Sequence, residues 1–185
     1  LRPYRITDTE RFFVAAVESY EHVHEFGPWL RPDWTLQDAA RMVESRIEGR
    51  HEGTEFAFVI EDRESGAFVG DCGLSQVDRT NHRANLGYWI RAGWTGRGIA
   101  SEAARLVAHW GLTTAGLHRI EILIAAENAS SLGVARKLGA VREGLLRKRL
   151  LLHGRAHDAV LFSLTSDDLP LRHAETATNP AEAPR

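Results

Sequence analysis

Tyr88-Trp89-Ile90-Arg91-Ala92-Gly93-Trp94-Thr95-Gly96-Arg97-Gly98-Ile99-Ala100-Ser101-Glu102-Ala103 is the stretch on which the reading of this chain rests. It has the form of a strand, a glycine-rich loop and a helix. Apolar residues recur at Ile99, Ala103, Leu106, Val107 and Trp110, the spacing of one buried helix face, so a long amphipathic helix is predicted from Gly98. Gly96 and Gly98 leave the backbone bare where that helix begins. Unpaired N–H groups and the positive end of the helix dipole can then approach a ligand closely. This combination suits an anion, phosphate first.

Two phosphate-binding motifs can be tested against the letters. A P-loop requires a lysine directly after a glycine, followed by Ser or Thr; no lysine follows a glycine here. A dinucleotide fingerprint requires a third glycine or equivalent small residue where this chain has Ser101. Glu121 lies about 20 residues downstream, as that fingerprint asks, but inside a strand pattern and not at a strand end. A purely structural glycine turn stays open on this stretch alone.

Working outward, Gly116 stops the helix, and His118 to Ala125 reads as a buried strand with Ile120, Ile122 and Ile124 on one face. A strand that follows a helix in this way favours a parallel crossover. Asn128 opens a short helix with Leu132, Ala135 and Leu138 inward, stopped by Gly139. Two strands follow, over 141–152 and 157–165, joined at His153-Gly154-Arg155. Upstream, 55–60 and 67–77 alternate as a hairpin about Arg63-Glu64-Ser65-Gly66, and 83–91 returns as a third antiparallel strand. Before these, Thr7-Asp8-Thr9-Glu10 has the form of a capping box for a first helix, broken at Gly27-Pro28, and Thr35 caps a second that ends at Gly49 and Gly53. Residues from Asp167 onward are rich in Pro, Ala and polar residues without periodicity, which reads as a disordered tail.

The totals set bounds. A chain of 185 residues with 43% hydrophobic residues can bury one sizeable core. Net charge −2 and pI near 6.5 point to no obligatory nucleic-acid or membrane partner. Only two of the 23 basic residues are lysine, a compositional bias and not a DNA-binding signal. The single Cys72 cannot form an intramolecular disulfide and fits a reducing compartment, so the cytoplasm is the expected location. No run of apolar residues approaches the ~20 needed to span a bilayer, and no His/Cys/Asp spacing suggests a metal.

Thr95-Gly96-Arg97-Gly98-Ile99-Ala100 resembles the [QR]-x-x-G-x-[GA] acyl-CoA loop of the Gcn5-related N-acetyltransferase (GNAT) superfamily, with Thr95 where Gln or Arg is usual. With Gly87-Tyr88-Trp89-Ile90 before it, and Asn128-Ala129-Ser130-Ser131 and Arg136-Lys137-Leu138-Gly139-Ala140 after it, the chain is similar to the RimJ/RimL-type subgroup that acetylates ribosomal-protein N termini. The resemblance spans residues 1–166 and is strongest over 84–142. It implies a mixed α/β (α+β) GNAT fold: a mostly antiparallel mixed sheet of about six or seven strands, flanking helices and a splayed central strand pair. One acetyltransferase domain is expected over 1–166, with 167–185 as the tail.

The same resemblance implies acetyl-CoA as acyl donor. Pantetheine and the thioester carbonyl would lie on the backbone of Trp89, Ile90 and Arg91, and the pyrophosphate on Thr95, Gly96, Arg97, Gly98, Ile99, Ala100 and Ser101, with Arg97 adding a charge. Asn128 and Ser131 would hold the pantetheine arm or the sulfur, or else only cap their helix; Ser131 could protonate the departing thiolate. Trp29 and Trp34 would wall the acceptor pocket, or simply pack. Glu121 is the first candidate for the base that takes the amine proton, or else the structural partner of an arginine. The subgroup often has Glu before its G-Y-W string, where this chain has Asn85, and Asp71, His82 and Asp158 are weaker candidates. Cys72 has no activating neighbour in sequence, so direct transfer is favoured over a covalent acyl-enzyme. The expected acceptor is a protein N-terminal amine. The rivals are a small amine such as a polyamine or aminoglycoside, a larger donor such as succinyl-CoA, and a non-catalytic acyl-CoA-binding module. A homodimer is a further expectation from the resemblance.

Overall fold

In the computed structural model, residues 1–170 are described. Seven strands form one sheet: β1 (Arg2–Pro3), β2 (Phe56–Glu61), β3 (Phe68–Asp78), β4 (Arg83–Ile90), β5 (Arg119–Ala125), β6 (Val141–Leu152) and β7 (Arg155–Thr165). Their order is β1-β2-β3-β4-β5-β7-β6. Every pairing is antiparallel except β4 with β5, the pair joined by the long crossover helix, as the sequence predicts. The helices are α1 (Thr9–Glu18), α2 (Tyr20–Val23), α3 (Leu36–Glu52), α4 (Ile99–Thr113) and α5 (Ala129–Lys137). No helix among the described residues is long and apolar enough to cross a membrane.

Alternation along the strands sends apolar residues to both faces. On one face Cys72, Leu74, Leu86, Ile120, Ile122 and Ile124 pack under α4 and α5 with Val107, Ala108, Ala135 and Leu138. On the other, Val59, Ala57 and Phe68 meet Phe12 and Ala15 of α1 and Ala39 and Val43 of α3. Helix α4 lies close because its buried stripe is small, with Ala103, Ala104, Ala108 and Gly111 in it. A Cβ on Gly111 would come within 2.8 Å of Leu74 and 2.9 Å of Ile120. Leu106, expected inward, is 43% exposed. The tight packing of the small residues rotates the stripe toward Ala104 and Ala108 and turns Leu106 to the rim.

The ends of the elements differ from expectation in two places. The capping box read at Thr7–Glu10 is displaced: a single 3-10 turn, Ile6–Asp8, precedes α1. The Asp8 carboxylate turns back to accept from the Arg5 N–H at 2.8 Å and from Arg2 at 2.6 and 2.8 Å. Two residues at the start add the short strand β1, paired with β2, too brief to show a period in sequence. Thr35 does cap α3, exchanging hydrogen bonds with Asp38, and Gly53 ends it at φ +67°. Beyond the expected domain boundary, Ser166–Asp168 make one 3-10 turn, and Leu169 packs against the core. The rest of the expected tail, from residue 171, lies outside the described residues.

Candidate functional site

Three features of the sheet create the site. The first is a split. β4 and β5 are in register only at Arg83–Arg119, Ala84–Ile120 and Asn85–Glu121, yet β4 stays on β3 to Ile90 and β5 stays on β7 to Ala125. Past Asn85 the two strands therefore part, and backbone groups of β4 that point toward β5 have no strand to meet. Unpaired backbone groups of this kind demand a partner. Near the split, Asn85 Oδ1 accepts from the Leu123 N–H at 3.4 Å, and the Tyr88 hydroxyl donates to the Ser131 carbonyl at 3.3 Å. Burial pushes the Tyr88 phenol up to about 12, so it remains a donor at neutral pH.

The second feature is the loop. Gly96 and Gly98 hold φ of +75° and +78°, which cost an ordinary L-residue about 1–2 kcal/mol. Gly98 is the N-cap of α4 without a side-chain cap, so the first N–H groups of the helix face open space. A Cβ at either glycine would meet no protein atom within 4 Å; backbone conformation and room for a ligand, not crowding, set the residue type. The loop is anchored from a distance that the sequence did not reveal. Ser19 Oγ accepts from the Ala92 N–H at 3.0 Å, and the Arg91 guanidinium is held by Glu18 at the end of α1.

The third is a bulge. Register passes from Ile60–Gly70 to Glu61–Phe68, leaving Val69 without a partner in β2. Gly70 sits at φ +155°, where a Cβ would lie 2.2 Å from the Trp89 carbonyl oxygen. Val69 and Cys72, three apart, both enter the core under α4, while Asp71, Gly73 and Ser75 line the opposite face. Bulges re-aim side chains in this way.

Together these features open a cavity of about 750 Å³ that runs from the glycine loop, along the split, to the acidic face of β3. Thr95, Gly96, Gly98, Ile99, Ala100 and Ser101 line one end. Trp89, Ile90, Asn128 and Ser131 line the middle, and Trp29, Glu55, Ala57, Asp71 and Gly73 the other end. A second hollow, between Ile6–Glu10 and the start of α3, is open, lies away from the loop and gathers no comparable set of groups.

The expected site residues divide accordingly. Trp89, Ile90, Thr95, Gly96, Gly98, Ile99, Ala100, Ser101, Asn128, Ser131 and Trp29 line the cavity. Arg91 and Arg97 do not: the Arg91 N–H, expected to be free for the ligand, donates to the Val69 carbonyl at 2.7 Å and its side chain is tied to Glu18, and Arg97 folds back on its own loop, 4.8 Å over the Trp94 ring and 3.0 Å from the Gly93 carbonyl. Trp34 also stays out, edge-on to Trp29 at 5.4 Å, its indole N–H buried and without an acceptor among the described residues. It supports Trp29, which in turn touches Phe12 and Trp89. Asn128 Oδ1 accepts from the Ser131 N–H at 3.0 Å and so caps α5. The Ser131 hydroxyl has no protein partner among the described residues.

Glu121, the first candidate base, stands apart from the cavity. Its two carboxylate oxygens are taken by Arg83 at 3.1 Å and Arg119 at 2.9 Å, the arginine-partner alternative. Of the weaker candidates, His82 bonds the Gly116 carbonyl at 3.1 Å across a turn, and Asp158 accepts from the Lys148 backbone N–H at 2.8 Å. Asp71 alone of these reaches the cavity. It is 6% exposed and accepts from the Tyr4 hydroxyl at 2.7 Å. Burial, reinforced by the Asp71 charge, pushes the Tyr4 phenol well above its usual value, so that proton stays on tyrosine. Arg46 stands 3.9 Å from Asp71 and is bonded to Glu55. Tyr4, Arg46 and Glu55 left no trace in sequence spacing; the one available signal was an acid between glycines in the apolar first half of a strand. Burial pushes the Cys72 thiol up as well, and it faces α4 and not the cavity, so no thiolate is available there. Among the described residues no cluster of three His, Cys, Asp or Glu is placed to hold a metal.

Comparisons with known proteins agree with this geometry. A profile described as acetyltransferase (GNAT) domain matches residues 1–141. The [ribosomal protein uS5]-alanine N-acetyltransferase of Escherichia coli is 31% identical over 122 residues, covering 65% of this chain and 63% of that one. The Escherichia coli spermidine N(1)-acetyltransferase is 29% identical over 111 residues, covering 60% and 58%. The structure of Mycobacterium smegmatis RimJ in complex with CoA-disulfide superposes with a TM-score of 0.82 at 28% identity, over 94% of this chain and 84% of the other.

Proposed function

Because this chain belongs to the acetyltransferase (GNAT) family and is an acetyl-CoA-dependent N-acetyltransferase, we propose that its acceptor is the α-amine of a protein N terminus, attacked directly in a ternary complex. The observation that carries the reading is the continuous cavity that joins the glycine loop to Asp71 through the split between β4 and β5. Donor and acceptor can both be held there at once, which converts a two-body encounter into a positioned reaction.

The pyrophosphate sits on the amides that begin α4, at Gly96 to Ala100. Pantetheine runs back along β4, and a free β4 N–H polarises the thioester carbonyl and holds the oxyanion. The amine nitrogen attacks the carbonyl carbon, the C–S bond breaks, and the thiolate takes a proton from the Ser131 hydroxyl, which regains one from solvent as Asp71 later releases its own to solvent. Asp71, directly or through one water, accepts the proton that the nitrogen loses. Tyr4 and Arg46 hold the Asp71 carboxylate in place. The high thiol pKa of Cys72 and its position on the other face argue against a ping-pong route. Arg46 is engaged by Glu55 and Asp71, so among the described residues no unpaired guanidinium lines the cavity for the extra carboxylate of succinyl-CoA. Membership of an enzyme family likewise favours turnover over a purely acyl-CoA-binding role.

Calorimetric titration with acetyl-CoA, succinyl-CoA and CoA, followed by free-thiol release against peptides with free or blocked N termini and against polyamines, tests the reading. Acetyl-CoA is expected to bind and free-amine peptides to release thiol. Turnover with polyamines and none with any peptide would sink the proposed acceptor.

A further inference from the structure

Seven of the 23 basic residues, and one of the 25 acidic ones, fall between residues 136 and 155. The acid, Glu143, is paired with Arg119 at 2.6 Å. Arg142, Arg147, Lys148, Arg149 and Arg155 are exposed and have no ion partner among the described residues. Three of them are placed by a second bulge. In the pairing of β6 with β7, register jumps from Leu146–Ala159 to Leu150–His157, so Arg147, Lys148 and Arg149 together oppose the single residue Asp158. Lys148 sits at φ +52°. The Asp158 carboxylate bonds the Lys148 backbone N–H at 2.8 Å, so the acid holds the bulge open and makes no ion pair with the three cations.

This bulge stands at the rim of the cavity. The next residues along β6, Leu150, Leu151 and Leu152, line it. The hairpin tip is fixed there: His153 Nε2 lies 2.8 Å from the His24 carbonyl, with the two rings 4.1 Å apart, in the segment that carries Trp29. The charges are thus unevenly placed: inside, the Asp71 and Glu55 carboxylates lie with the Arg46 guanidinium and Lys137, while the bulge at the rim carries three cations with no ion partner among the described residues.

We infer that the acceptor is a protein N terminus followed by acidic residues, whose carboxylates bind the Arg147-Lys148-Arg149 bulge while the amine reaches toward Asp71. The inference rests on the N-terminal acceptor proposed above and narrows it. A polyamine would bring its further ammonium groups against the bulge and be repelled, whereas an acidic flank is attracted and steered. An extended chain advances about 3.3 Å per residue, so with its first residues inside the cavity it meets the bulge at the rim from roughly the third position onward.

The test uses three peptides with the same first two residues and Glu, Gln or Lys at positions three to six, with acetylation of the α-amine read by mass spectrometry at low and high salt. The acidic peptide is expected to show kcat/KM about tenfold above the neutral one through KM, and the gap should shrink with salt. In the R147A/K148A/R149A variant the gap should close, while the neutral peptide and acetyl-CoA affinity stay as in the wild type, which also shows that the variant is folded. Equal rates on acidic and neutral peptides, or a gap that survives in the variant, overturns the inference and leaves the N-terminal acceptor standing. Acetylation of spermidine with none of any peptide overturns both. Binding of a uridine oligonucleotide that the variant loses, without preference for the acidic peptide, assigns the bulge to nucleic acid instead.

Discussion

At the proposed donor end of the cavity the groups on offer are backbone amides from one continuous run, residues 86–101; at the proposed acceptor end they are side chains from five separate places: position 4 just after β1, 29 in the segment before α3, 46 in α3, 55 just before β2 and 71 in β3. The donor end needs only that a strand lose its neighbour and that a helix begin on glycine. The acceptor end needs a sheet register, a bulge and two helices to be right at once. Substitutions at the two ends should accordingly fail in different ways.

The sharpest separation is expected from Asp71→Asn. Loss of the proton acceptor should lower kcat about 100-fold or more and leave the Kd for acetyl-CoA unchanged, as read by stopped assays beside calorimetry. A kcat within about threefold of wild type would remove Asp71 from the chemistry. The converse is expected of Gly98→Val, where a β-branched residue must hold φ +78° and its side chain enters ligand space. Acetyl-CoA affinity should fall about tenfold or more; an unchanged Kd would mean that the loop does not carry the phosphates.

A third substitution contrasts two carboxylates. Glu121 is held by two arginines on the sheet, and Asp71 is open to the cavity. Glu121→Gln should leave turnover within about twofold and cost about 1 kcal/mol or less, seen as a melting temperature lower by a few degrees. A large fall in kcat with no loss of stability would restore Glu121 as the base. The smallest effect concerns Glu143, whose carboxyl is drawn down to about 2 by hydrogen bonds from Arg119 and then Ser163. A folded value below the unfolded one, about 4.3, means that this stabilisation is present at neutral pH. It fades as pH falls from about 4 toward 2. The pair is partly exposed, so solvent weakens it. Glu143→Gln should make the melting temperature slightly less sensitive to acid over that window, and an identical pH profile would count against the pair.

The glycine loop, the crossover helix, the parallel strand after it and the two-strand finish were all legible in the sequence, because each depends on neighbours within one turn or one strand repeat. Gly98 had to be an N-cap glycine wherever the helix packed. The choice of Trp29 as a cavity residue came from the family resemblance, which named Trp34 with it, and only Trp29 lines the cavity. What the sequence left undecided was which acid faces the cavity. Glu121 and Asp71 each sit mid-strand, and a single-residue bulge at Val69 decides that Asp71 points to the cavity while Glu121, in the last pair of the parallel register, reaches Arg83.

The chain by itself determined the strand–loop–helix order and the glycine loop, which follow from periodicity and glycine conformation, and its resemblance to the GNAT superfamily supplied the fold and the expected donor. Only the tertiary structure decided the acceptor side. The partners of Asp71 lie 67 and 25 residues away along the chain, and the cationic bulge takes its meaning from the cavity that β6 happens to border. Contacts of that kind depend on strand register and packing angle, which no local pattern encodes.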